Sequence, residues 1–126
     1  DRRGLTVLVR NALFLRVRLA SRGQVEELGR LDEEGGFGEA RWRRALDAYF
    51  EAHGEVLVDA DARSSAYLDI DESDERTDHV WHVRQVFSDP GGDHDFAIVA
   101  DVDLDATQEE GEAVFKGLRA GFFEEL

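Results

Sequence analysis

Apolar side chains recur at helical spacing through the first 53 residues. Residues 5–20 are apolar on almost every side and contain no proline or glycine, which predicts a buried helix. Residues 25–31 carry the same spacing and predict a second, short helix. Residues 38–53 predict a third helix, and Gly54 behind them is typical of a helix end.

The hydrophobic period changes to two after Gly54, as strands require, because successive side chains of a strand point to opposite faces of the sheet. Short strands are predicted at 55–58 and 66–71, and longer strands at 79–87 and 96–104. The inward face of the last strand is predicted to consist of Phe96, Ile98, Ala100, Val102 and Leu104.

Acidic segments separate these strands. Residues 72–78 and 105–111 are predicted to be charged loops, and residues 112–123 fit either a final helix or an edge strand, of which we favour the strand. The strands lie too close in sequence for helical crossovers. We therefore predict one α+β domain over residues 1–126, with N-terminal helices packed on a curved antiparallel sheet.

Composition narrows the possible classes of protein. A chain of 126 residues with 42% hydrophobic residues has the size and composition of one folded domain. It has no cysteine, which excludes disulfides and thiolate nucleophiles, and no apolar run long enough for a membrane span. We expect a cytoplasmic protein with no membrane partner. The chain begins at Asp1 without a leader sequence, so we expect a piece of a longer polypeptide.

Charge is distributed unevenly along the chain, whose net charge is −14. The first 50 residues contain 10 arginines and 8 acidic residues, whereas the remainder contains 5 basic and 21 acidic residues. An acidic surface repels phosphate. Only the N-terminal arginines are therefore expected to contact RNA, and the cluster around a tryptophan is the clearest candidate: Arg41, Trp42, Arg43 and Arg44.

Two interpretations of that arginine cluster compete. Arginines beside an exposed tryptophan would form a stacking and phosphate-binding surface for RNA. Alternatively, the arginines pair with neighbouring acids while Trp42 packs inward, and we favour this second interpretation.

The segment "SDPGGDHDF" (88–96) contains the single proline of the chain. Its proline and glycines have the conformations that a hairpin turn needs. A metal site built from Asp89, Asp93, His94 and Asp95 is the alternative, because carboxylate and imidazole both bind divalent ions. We favour the turn, since His94 would point away from the aspartates of an extended segment. No metal site is predicted.

Sequence signatures of catalysis are absent. The chain has no Gly-x-Ser-x-Gly elbow, no phosphate-binding loop and no dinucleotide fingerprint, so we predict no catalytic residue and no cofactor. His82 lies near Arg84 on one face of a predicted strand. It would act as a general base if a carboxylate lay beside it, but a structural histidine is the favoured interpretation.

Five blocks carry a resemblance to a known family: "RGLTVLVRNALF" (3–14), "RWRRALDAYFEAH" (41–53), "DARSS" (61–65), "WHVRQVFSDPGGDHDF" (81–96) and "VDLDAT" (102–107). With them the chain resembles the C-terminal domain of unknown function attached to bacterial superfamily 2 DEAD/DEAH-box RNA helicases. The acidic insertion at 72–78 and the ending at 115–126 depart from the family's pattern. The resemblance implies a helicase core in the same polypeptide and a role in RNA metabolism, but assigns no chemistry to particular residues.

Two functions follow as hypotheses. The first is a non-catalytic accessory domain of an RNA helicase, which assists substrate positioning or docks on the motor. The second rests on a fold-level analogy, because helices followed by an antiparallel sheet are similar to the nuclear transport factor 2-like cone. In that case the chain is an enzyme or small-ligand binder, with a pocket lined from the sheet by Trp81, His82, Arg84 and Asp101.

Overall fold

The computed structural model describes residues 1–126 and has the predicted α+β architecture, with three helices preceding a four-stranded antiparallel sheet. The helices are α1 (Arg2–Ser21), α2 (Val25–Asp32), α3 (Glu39–His53), α4 (Glu75–Asp78) and α5 (Leu104–Glu110). The strands are β1 (Leu68–Asp71), β2 (Val80–Val86), β3 (Phe96–Asp103) and β4 (Phe115–Phe122), and they pair in chain order. None of the helices has the length and hydropathy that a membrane crossing requires.

The first three helices form where the periodicity predicts them. Asp1 caps α1, since its carboxylate accepts a hydrogen bond from the Gly4 amide at 2.6 Å. At the end of α3, Gly54 adopts a φ of 80°, the left-handed conformation that glycine reaches without strain. The capping residues therefore determine where these helices begin and end, whereas the apolar pattern predicts those positions only approximately.

A buried ion pair joins the helices. The Arg16 guanidinium of α1 donates to the Asp32 carboxylate, with Nη2 at 2.8 Å and Nε at 3.1 Å from Oδ1. Trp42 of α3 donates its indole N–H to the same carboxylate at 2.9 Å. Each of the three helices thus contributes one side chain to a single network, which sets their relative positions.

One apolar cluster of 24 buried residues lies between the helices and the inner face of the sheet. The predicted inward residues of β3 are all buried, namely Phe96, Ile98, Ala100 and Val102, and so is Leu104, which begins α5. Opposite them on β2, Trp81 and Val83 pair in register with Val102 and Ala100. The alternation predicted for β3 is therefore confirmed.

Other element predictions need correction. Residues 55–58 form no strand, because their only ladder contact is a single bridge between Leu57 and Ser88. The predicted loop at 105–111 is instead helix α5, which begins because the Asp103 carboxylate accepts a hydrogen bond from the Ala106 amide at 3.1 Å. The loop at 72–78 contains the short α4. The ambiguous segment at 112–123 is a strand, as favoured.

The segment 88–95 is the turn between β2 and β3. The Gly92 amide donates to the Asp89 carbonyl at 3.0 Å, and Gly92 has a φ of 74°. The buried Asp89 carboxylate accepts hydrogen bonds from the Asp93 and His94 amides, both at 2.9 Å. The buried Asp89 side chain thus stabilises the turn through these hydrogen bonds. It does so in addition to the proline and glycines, from which the sequence predicted the turn.

Candidate functional site

A cavity of about 250 Å³ lies between α3 and the end of β4. Arg41 and Arg44, one helical turn apart on α3, line one side, and Arg119 of β4 lines the other. Its floor is apolar and is formed by Phe37, Ala45, Ala48, Phe96, Ala120, Phe122 and Leu126. We call this cavity, with its three exposed arginines, the arginine recess.

The recess is positively charged on an acidic protein. Glu125 is the one carboxylate side chain that lines it. Arg43 pairs with Glu39 at 2.7 Å, whereas Arg41 and Arg44 form no ion pair. The Arg119 guanidinium donates only to the carbonyl oxygen of Leu126, at 3.3 Å. Three guanidinium groups above an apolar floor suit an anionic group attached to an apolar or aromatic body.

Trp42 does not belong to this surface. Its side chain is fully buried and turned toward Asp32, on the side of α3 that faces the helices. Of the four residues proposed from the sequence as RNA or partner contacts, the structure therefore brings Arg41 and Arg44 to one site and separates them from Trp42 and Arg43. Sequence reasoning missed Arg119, because only the packing of β4 against α3 brings it near them.

The outer face of the sheet carries the other predicted group. His82 lies between two carboxylates, with Nδ1 at 2.6 Å from Asp101 Oδ1 and Nε2 at 2.6 Å from Asp74 Oδ2. Hydrogen bonds to Asp101 and then Asp74 raise the pKa of His82 to about 9. The imidazole is therefore a cation at neutral pH, which makes it unsuited to accept a proton as a general base.

The four residues of the predicted sheet pocket do not line one cavity. Trp81 lies on the inner face, 1% exposed, and donates its indole N–H to Glu75 at 2.7 Å. Arg84 lies on the outer face with His82 and Asp101, in an open groove of about 580 Å³. The Arg84 guanidinium covers the Phe123 ring at 4.8 Å. The outer groove thus contains mixed charges.

Comparison with known proteins gives one result. A family model matches residues 1–120, nearly the whole chain. The chain belongs to the DUF3516 family, described as a domain of unknown function. No curated protein and no solved structure matches the chain. Membership of a family of unknown function is therefore established.

Proposed function

We propose that this domain is a non-catalytic accessory module of a cytoplasmic RNA helicase and that it positions RNA for the motor at the arginine recess. The proposal rests on Arg41 and Arg44, whose guanidinium groups form no ion pair and lie opposite Arg119 in the recess. The similarity of the sequence to helicase-associated domains supports the same context, and the lack of cysteine fits a cytoplasmic location.

The chemistry of the recess suits a nucleic acid backbone. Guanidinium groups bind phosphate through paired N–H donors, and the partly exposed Phe122 ring offers a face to a base. The protein as a whole carries a net charge of −14, which repels phosphate. The domain is therefore expected to bind RNA weakly alone and to act when the motor holds RNA nearby, because tethering raises the effective concentration.

The alternative of an enzyme or ligand binder on the sheet has less support. Its proposed residues divide between the two faces, since Trp81 is buried in the core while His82 and Asp101 lie outside. His82 is held as a cation between carboxylates and lacks the free lone pair that a general base would use.

The proposal is tested on the full-length polypeptide by RNA-stimulated ATP hydrolysis. Replacing Arg41 and Arg44 with alanine should raise the RNA concentration that gives half-maximal ATP hydrolysis and leave turnover at saturating RNA unchanged. The matched control replaces Arg10 and Arg22, two exposed arginines of the helical layer outside the recess. Equal effects of the two double variants, or a full-length polypeptide without helicase motifs, would refute the proposal.

A further inference from the structure

Three carboxylates of the β2–β3 turn converge on His53, the last residue of α3. His53 Nε2 lies 2.9 Å from Asp95 Oδ1, while Nδ1 lies 3.5 Å from Asp89 Oδ2 and 3.9 Å from Asp93 Oδ2. The His53 side chain is only 6% exposed. The histidine that faces the acidic turn is thus contributed by a helix and not by the turn itself.

We propose that His53 Nδ1, Asp89 and Asp93 bind one divalent transition-metal ion, with Zn²⁺ as the typical case. The three ligand atoms lie within 4.8 Å of one another. In a tetrahedral site, ligands at roughly 2.0–2.2 Å from Zn²⁺ lie about 3.3–3.6 Å apart. The 3.5 Å between His53 Nδ1 and Asp89 Oδ2 already fits this separation. A small movement of the Asp93 side chain, which is 63% exposed, brings all three within reach of one ion.

The hydrogen bonding of His53 leaves one ring nitrogen for a metal ion. At 3.5 Å, the separation of Nδ1 from Asp89 is too long for a hydrogen bond, so this nitrogen has no partner although the side chain is more than nine-tenths buried. Because an ionised carboxylate only accepts, Nε2 carries the proton that is donated to Asp95. Nδ1 faces Asp89 and Asp93 and would supply the nitrogen ligand of the metal ion, while Asp95 acts as a positioning residue.

The surroundings supply rigidity and uncompensated charge. The Tyr49 and Phe122 rings pack near the imidazole, with centroids at 5.0 and 6.1 Å. The carboxylates of the three aspartates lie close to His53 and pair with no lysine or arginine. Three negative charges around one imidazole favour a divalent cation, and the exposure of Asp93 leaves the solvent side open for a water ligand.

His94 takes no part in this site. Its Nε2 lies 3.0 Å from the Tyr67 hydroxyl, with the two rings in edge contact. The predicted separation of the His94 side chain from the aspartates is therefore confirmed. The prediction that the turn binds no metal considered only residues of the turn and did not include His53. Mixed nitrogen and oxygen ligands suit zinc and its neighbours in the transition series better than calcium.

The experiment is calorimetric titration of the tag-free 126-residue chain with zinc chloride and, separately, manganese chloride. We expect one zinc ion per chain, with binding lost in His53→Gln and weakened about tenfold or more in Asp93→Asn and Asp95→Asn. His94→Ala is the matched control and should bind as the wild type does. Because Asp93 is exposed, its variant should fold normally, and a thermal melt of each variant checks this.

NMR spectroscopy of the histidine rings provides a second readout. Zinc should shift the His53 ring resonances at one equivalent and leave those of His79, His82 and His94 in place. Binding of several ions per chain that is unchanged in His53→Gln and Asp93→Asn would show only non-specific attraction to the acidic surface, and would overturn the proposal. Absence of binding would overturn it equally.

Discussion

Gly29 of α2 lies directly against the backbone of Glu39 at the start of α3. A Cβ atom at position 29 would lie 2.7 Å from the Glu39 amide nitrogen and 2.8 Å from its Cα. Backbone cannot yield as a flexible side chain can, so this contact sets how closely α2 and α3 approach. The same packing determines where α3 presents Arg41 and Arg44.

Gly29→Ala should therefore lower the free energy of unfolding by about 1–3 kcal/mol, the usual cost of overpacking. Gly4→Ala in α1 is the matched control, because the nearest atom there belongs to the Asp1 side chain. Alanine favours helix, so the control should be neutral or stabilising. Urea unfolding followed by circular dichroism measures both, and equal stability of the two variants would contradict the packing described.

The buried pair of Arg16 and Asp32 predicts a larger effect. Asp32→Asn leaves a guanidinium buried without its counter-charge, and should cost about 3–5 kcal/mol in unfolding free energy. Glu27→Gln, which breaks the exposed pair with Arg30, serves as the control and should cost less than about 1 kcal/mol. The same denaturant series checks both variants. A small loss in Asp32→Asn would show that the network contributes little.

The protonated His82 predicts a pH dependence. The pKa of His82 is about 9 in the folded protein, against an ordinary value of 6.5. The stabilisation that protonated His82 gives through its two carboxylate partners is therefore complete below pH 6.5 and is lost as pH rises through 9. Unfolding free energy measured across this window should fall more steeply for the wild type than for His82→Gln. High salt should reduce the difference, because the side chain is 41% exposed. Identical pH profiles would contradict the assignment.

The turn distinguishes its two glycines. Gly92 has a φ of 74°, so Gly92→Val should cost about 1–2 kcal/mol in unfolding free energy. Gly91 does not have a positive φ, and Gly91→Val should cost less. His94→Ala should stay within about 1 kcal/mol of the wild type. Thermal melts of the three variants rank their stabilities. A Gly91→Val variant that is less stable than the Gly92→Val variant would contradict the turn geometry.

Periodicity predicted the elements that pack on the core. Helices α1 to α3 and strands β2 and β3 follow directly from the apolar pattern, because each buries one continuous face. Helix α5 was missed since it is short and three of its seven residues are acidic, and a cap at Asp103 rather than an apolar stripe begins it. Residues 55–58 alternate like a strand, yet their only strand-like backbone pairing is the bridge from Leu57 to Ser88.

The candidate sites were less predictable. Arg41 and Arg44 were found because they are close in sequence, but their partner Arg119 comes from the last strand. His53 likewise meets Asp89 only through the packing of α3 against the turn. Neither pairing has a signal in local sequence. Sites assembled from distant segments require the tertiary structure, whereas the turn itself was evident from its proline and glycines.

The most direct measurement of the central claim is the affinity of the domain for short single-stranded RNA, followed by fluorescence anisotropy over a range of salt concentrations. Replacing Arg41, Arg44 and Arg119 with alanine should weaken binding and reduce the slope of log K against log salt by about 2, as expected for three lost phosphate contacts. The control with the same charge change replaces Arg3, Arg10 and Arg22, all exposed on the helical layer away from the recess. It should keep the affinity and slope of the wild type, and equal losses in the two triple variants would contradict RNA binding at the recess.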